Sequence, residues 1–120
     1  MTTAELRPGR TGNEVLAAAR ASAYAEGIDG DVYSHPVVYH GHGAGPAIGL
    51  WDQQDGVPGA GDYPVHLDTV WALELAVRVP VPEWGGQLVR MALEQGISLT
   101  ERGVDYLDGR QTELILIPGA

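Results

Sequence analysis

Residues 70–79 read Val70-Trp71-Ala72-Leu73-Glu74-Leu75-Ala76-Val77-Arg78-Val79. Successive side chains of an extended chain point to opposite faces, so Trp71, Leu73, Leu75, Val77 and Val79 share one face. Val70, Ala72, Glu74, Ala76 and Arg78 share the other. This period of two predicts a strand. Pro80 and Pro82 follow, and they weaken its end or place it at an edge. Glu83-Trp84-Gly85-Gly86 reads as a turn, and Gln87 to Glu94 as the returning strand. Antiparallel pairing symmetric about Trp84 sets Glu74 opposite Glu94 and Arg78 opposite Arg90, all on one face. Like charges directly opposite are destabilising unless something compensates them. A cation between the glutamates would do so, and so would a shared proton. An asymmetric loop would instead slip the register and carry a glutamate to the other face.

Working outward from the hairpin, Thr11-Gly12-Asn13-Glu14 fits a capping box. The alanine-rich run Val15 to Glu26 follows, and Gly27 is a natural stop, which predicts a helix over 12–26. Its small residues predict close packing against a sheet. Residues 1–10 read as a loose lead-in with Pro8 and Gly9. Between Gly41 and Gly61 lie seven glycines, with Pro46 and Pro58 among them, so this stretch is loop. It carries His40, His42, Trp51, Asp52, Gln53 and Gln54, and a loop so furnished serves a site more often than it serves as a spacer. A short extended piece, Asp31 to Tyr33, leads into it. Thr112 to Ile117 reads as a last apolar strand. Helix, long loop and strand-rich half together give an α+β class.

Composition narrows the functions. At 120 residues, 44% hydrophobic and 19% charged, the chain suits one domain with a buried core. No apolar run reaches the roughly 18 residues of a membrane span, and no basic-then-apolar segment opens the chain. A cytoplasmic location without a membrane partner is the expectation. There is no cysteine and no lysine. That excludes thiolate metal sites, thiol catalysis, Walker-A loops and Schiff-base chemistry. Seven scattered arginines in a chain of net charge −9 make no basic stripe, so nucleic acid is not an expected partner. The acid surplus serves solubility, or some of its carboxylates hold a hard cation.

His40-Gly41-His42 puts two imidazoles on one side of an extended backbone, and imidazole with carboxylates suits zinc, manganese, iron or cobalt. Equally, a histidine in a glycine-rich loop serves as a hydrogen-bonding residue, the reading given to His35 and His66. A cupin-type site would need a glutamate within Gly43 to Leu50, and none is there. Gly41 to Gly45 is no dinucleotide fingerprint, because Pro46 interrupts it and no helix follows.

Taken in order, Gly41-His42-Gly43-Ala44-Gly45, Ile48-Gly49-Leu50, Leu73-Glu74-Leu75 and Leu93-Glu94-Gln95 resemble the C-terminal half of a pita-bread metallopeptidase. That family includes methionine aminopeptidase, Xaa-Pro aminopeptidase and prolidase. Pro8-Gly9-Arg10-Thr11 is similar to the family's segment before its histidine loop. The resemblance implies that residues 1–120 form a single partial domain, one helix plus a curved antiparallel sheet. It implies a pair of divalent cations (manganese, cobalt or zinc) held by two aspartates, one histidine and two glutamates. His42 would be the histidine ligand, Glu74 the first glutamate and Glu94 the glutamate bridging both ions. A metal-bridging water would attack the peptide carbonyl while Glu74 shuttles its proton, so Glu74 and His42 would be the catalytic residues.

The chain departs from that pattern in three places. No aspartate precedes Asp29, so the two aspartate ligands have no counterpart. Anchoring on Ile48-Gly49-Leu50 rather than Gly41-His42-Gly43 puts Pro46 at the ligand position. A substrate-binding histidine seven residues after the ligand is replaced by Gly49 or Gln53. The expectation is an Xaa-Pro aminopeptidase-like hydrolase that removes N-terminal residues from peptides when complete, and is inactive as the isolated chain. Its partners would be a peptide substrate and either a missing N-terminal half or a second copy. The last follows from the alanine-rich helix and the Trp71 strand face, which need cover and would otherwise drive self-association. The alternatives are a non-enzymatic binding module and a metal-free creatinase-like hydrolase on the same fold.

Overall fold

In the computed structural model, residues 1–119 are described. Two helices, α1 (Thr2–Glu5) and α2 (Gly12–Ala25), precede five strands: β1 (Asp29–Val38), β2 (Gly41–His42), β3 (Thr69–Val81), β4 (Gln87–Thr100) and β5 (Gly103–Tyr106). The strands form one sheet in the order β2-β1-β3-β4-β5, with every pairing antiparallel. The class is α+β. Residues 1–10 are not a loose lead-in, because α1 forms there and buries Thr2 and Leu6.

The capping box closes as its residues require. The Thr11 Oγ1 accepts from the Glu14 N–H at 3.2 Å, and Glu14 Oε2 accepts from the Thr11 N–H at 2.8 Å. Gly27, at φ +74°, turns the chain out of α2 in the left-handed region that favours glycine. Val15, Leu16 and Ala19 press onto the sheet, and the core joins them to Val32, Ile48, Val65, Trp71, Leu73, Ile97 and Leu99. Trp71 has no exposed surface. The Trp71 face therefore has its cover within the chain, supplied by α2. The uncovered apolar surface lies elsewhere, at the far end of the hairpin, where Val79, Leu88, Met91 and Leu93 are exposed.

The hairpin has the symmetric register. Glu74 pairs with Glu94, Arg78 with Arg90 and Val81 with Gln87, without a bulge. Pro82–Trp84 form a turn of 3-10 helix, and Gly85 and Gly86 have φ of +66° and +81°. Both strands are longer than their alternation predicts. β3 runs through Pro80 because the even-numbered residues of β3 bond toward β1, whose pairing ends at Asp29↔Arg78. The donor that Pro80 lacks would have pointed at no strand.

Pro36 is placed by the same reasoning inside β1. Ser34 exchanges hydrogen bonds with Ile48 across the outer edge, 3.0 Å and 2.8 Å. Two residues before it, Val32 gives and takes hydrogen bonds with the Gln54 side chain, both 2.9 Å. Two residues after it, the Pro36 carbonyl accepts from the Gly43 N–H at 2.6 Å. Residues 32, 34 and 36 thus face outward, and proline sits where the ladder to β3 needs no donor from it. The glycine-rich loop closes this edge. Gly49, at φ +72°, lets its backbone pass so close that a Cβ would lie 2.1 Å from the Val32 carbonyl oxygen.

The expected strand over Thr112–Ile117 is absent. Residues 114–119 have no regular structure, and Leu114, Ile115, Leu116 and Ile117 are 67–89% exposed. β5 ends at Tyr106, and a turn around Gly109 carries the chain away before a ladder can continue. Apolar alternation is necessary for a buried strand, but a neighbouring edge in reach is also required.

Candidate functional site

The sheet face opposite α2 carries the polar residues. β3 contributes Glu74 and Arg78, β4 contributes Arg90 and Glu94, and β1 contributes Asp31, Tyr33 and His35, with Tyr33 directly opposite Glu74. Directly opposed residues have Cβ atoms about 5 Å apart, so the Glu74 and Glu94 carboxylates can meet above the sheet. Glu74 is half-buried and Glu94 is exposed.

His35 reaches across to Glu74, with Nε2 to Oε1 at 3.2 Å, while its Nδ1 lies 3.0 Å from the Pro36 carbonyl oxygen. Both ring nitrogens therefore face acceptor oxygens, which fixes the plane of the ring. His42, from β2, stacks on His35 with ring centroids 3.8 Å apart and planes 18° apart. Its Nε2 lies 2.8 Å from the Tyr33 hydroxyl. Burial, and then the negative charge of Glu74, push the Tyr33 phenol above its ordinary pKa. The Tyr33 hydroxyl and His42 Nε2 thus share one hydrogen bond, whose direction follows the His42 tautomer. Trp51 meets Tyr33 edge-on at 5.5 Å, and the Arg90 guanidinium lies 4.9 Å over the Trp51 ring.

Arg78 is held by Asp31 and Asp29, and that pairing raises its pKa further. The Arg78↔Arg90 repulsion is thereby offset from β1 on one side and by the Trp51 face on the other.

Of the three residues singled out from sequence, Glu74 and Glu94 come together by register, and His42 joins them through His35 and Tyr33. Among the described residues, no three His, Asp or Glu side chains converge so as to hold a metal ion. The sequence reading assigns Tyr33 no part in the site and His35 only a hydrogen-bonding role, and it places Arg90 on this face and Trp51 in the site-serving loop without joining the two. Asp31, Tyr33 and His35 alternate, and extending the strand past Tyr33 would have put His35 on the face of the glutamates. Trp51 and Arg90 meet through the loop, and no local pattern announces that contact.

Comparison with protein-family models, curated proteins and solved structures gives no significant match. No helix of the described residues is long and apolar enough to cross a membrane.

Proposed function

We propose that this chain is the C-terminal half of a pita-bread metallopeptidase-like domain, related to Xaa-Pro aminopeptidases, and that its open sheet face is half of a peptide-hydrolysing site. The observation that carries the reading is the Glu74–Glu94 pair, two carboxylates opposed on one face with an imidazole system beside them. Two like charges held this way are what a divalent cation would relieve. The fit to a cation pair is partial. The two carboxylates suit it. His42 is turned to Tyr33 and does not converge with them, and no aspartate ligands stand on this face near Glu94. The described residues alone therefore do not make a dinuclear site, and the remaining donors would come from an aspartate-bearing half.

Cations held by Glu74, Glu94 and the donors of the other half would supply Lewis-acid activation of water and stabilisation of a developing negative charge. The chain's own groups do the rest. Glu74 takes or gives a proton at Oε1, backed by His35 Nε2. Tyr33 fixes the His42 ring. Trp51 and Arg90 offer a flat, cationic wall along which a peptide can lie.

The test is peptide hydrolysis by the chain mixed with a separately expressed aspartate-bearing half, with manganese added. Activity that appears on mixing and is lost in Glu94→Ala supports the proposal. Two tight manganese sites in the chain alone, by calorimetry, would overturn the half-site reading. The His35–Glu74 contact also favours a second reading, a metal-free hydrolase on the same fold, in which activity would survive a chelator.

A further inference from the structure

The two edges of the sheet are treated oppositely. Along β1 each outward backbone group from Val32 to Pro36 has a partner, namely Gln54, Ile48 and Gly43. Along β4 the partner strand covers only Ile97–Thr100. The Gly96 carbonyl still accepts from the Leu107 N–H at 3.0 Å. By the two-residue period, the amides and carbonyls of Glu94, Ala92, Arg90 and Leu88 point out from that same edge. Among the described residues no strand pairs with them. An open edge of this length, flanked by the exposed Leu88, Met91 and Leu93, is a template for another strand.

The chain carries such a strand. Leu114-Ile115-Leu116-Ile117 are four consecutive aliphatic residues, two of them β-branched, each more than two-thirds exposed. Their own chain brings Gln111 to Leu114 beside Met91–Gln95, with Ile115 near Glu94–Gly96, but leaves a cavity of about 390 Å³ along Met91–Gln95 and forms no strand pairing there. Donor and acceptor are therefore both present and unjoined within one copy.

We propose that two copies of this chain associate by reciprocal strand exchange, segment 113–117 of each adding to the β4 edge of the other. The second copy is the occupant of that edge, whatever chemistry the open face performs. The area supports it. At about 100 Å² of apolar surface per aliphatic side chain, one segment contributes about 400 Å² and covers as much again on its acceptor. Two exchanges then bury about 1,600 Å², the size of a stable specific interface. A two-fold axis makes the contact self-complementary and closed.

The test is light scattering behind size exclusion, over a range of concentrations, on three proteins: the full chain, a chain ending at Glu113, and full-length Ala92→Pro. Proline at Ala92 removes an outward donor and leaves the β3–β4 ladder intact. The full chain is expected to be a dimer, and both variants should dissociate about 100-fold more readily. Mixing the two variants restores one exchange, and a weaker heterodimer should form. A monomeric full chain overturns the proposal, and so does a dimer that survives the loss of Leu114–Ile117. The shortened chain keeps the test valid should Ala92→Pro fail to fold, with circular dichroism as the check.

Discussion

Replacing Gln54 with alanine tests the claim that one side chain closes the β1 edge. Its Oε1 accepts from the Val32 N–H at 2.9 Å, and its Nε2 donates to the Val32 carbonyl at 2.9 Å and the Leu50 carbonyl at 2.6 Å. Val32 is buried. Alanine leaves the Val32 donor and acceptor without partners, and an unsatisfied buried group costs about 1–3 kcal/mol. Two such groups give a loss of about 2–6 kcal/mol, with the upper part of that range reduced if water enters the gap. Against a total stability of about 5–15 kcal/mol, this is a large fraction. Gln54→Glu separates hydrogen bonding from packing. It keeps one acceptor, loses both donated bonds and sets a carboxylate against two carbonyl oxygens. It should be at least as costly as alanine at neutral pH and recover in part on acidification, when the protonated carboxyl can donate again. Urea unfolding supplies the free energies, and amide hydrogen exchange at Val32 supplies the location. A loss under about 0.5 kcal/mol with unchanged Val32 exchange would refute the reasoning, since a satisfied edge cannot be that cheap to open.

Thr11→Ala removes one half of the capping box and should cost about 1 kcal/mol in urea unfolding, with the loss appearing as fraying of α2. Gly49→Ala combines a φ of +72° with a Cβ placed 2.1 Å from the Val32 carbonyl oxygen, so the soluble folded yield should collapse, as judged by circular dichroism. The Tyr33 phenol holds its proton more tightly in the folded state because of burial and Glu74. Folding stability should therefore be undiminished by Tyr33 below about pH 10 and decline as pH rises above it. Tyr33→Phe should flatten that decline, measured as the urea midpoint against pH.

Where the sequence was legible, a short-range rule carried the reading. Thr11 and Glu14 specify a helix start by a bond that spans three residues. The alternation from Val70 to Val79 specifies two faces, and a turn that pairs Val81 with Gln87 turned a symmetric guess into the register that opposes Glu74 and Glu94. What was not legible depends on distant partners. Pro36 and Pro80 look like strand breakers until it is known which side of each strand bonds to which neighbour. Gln54 reads as one more polar loop residue, yet it acts as a backbone substitute for Val32, 22 positions away. The segment at 112–117 has the pattern of a strand and lacks a joined edge within the chain. The candidate site divides the same way. The glutamates followed from register, while Trp51 on Arg90 and His42 on His35 arise from how the loop folds back.

The charges on the open face show where the fold is left unfinished. Both like-charged pairs of the hairpin have one member on β3 and one on β4. On β3 each is answered from β1, Glu74 by His35 and Arg78 by Asp31 and Asp29. On β4 the answers run out. Arg90 has the face of Trp51 and no carboxylate, and Glu94 has no ion-pair partner among the described residues. The same strand owns the unpaired edge and the exposed Leu88, Met91 and Leu93. Charge, hydrogen bonding and apolar burial are thus all incomplete on β4, whereas on β1 the charges are answered and the outward backbone groups from Val32 to Pro36 are bonded. A partner that satisfied one of these needs alone could bind anywhere along the hairpin. A partner that satisfies all of them must run along β4 between Leu88 and Gln95, which is where variants should be placed first.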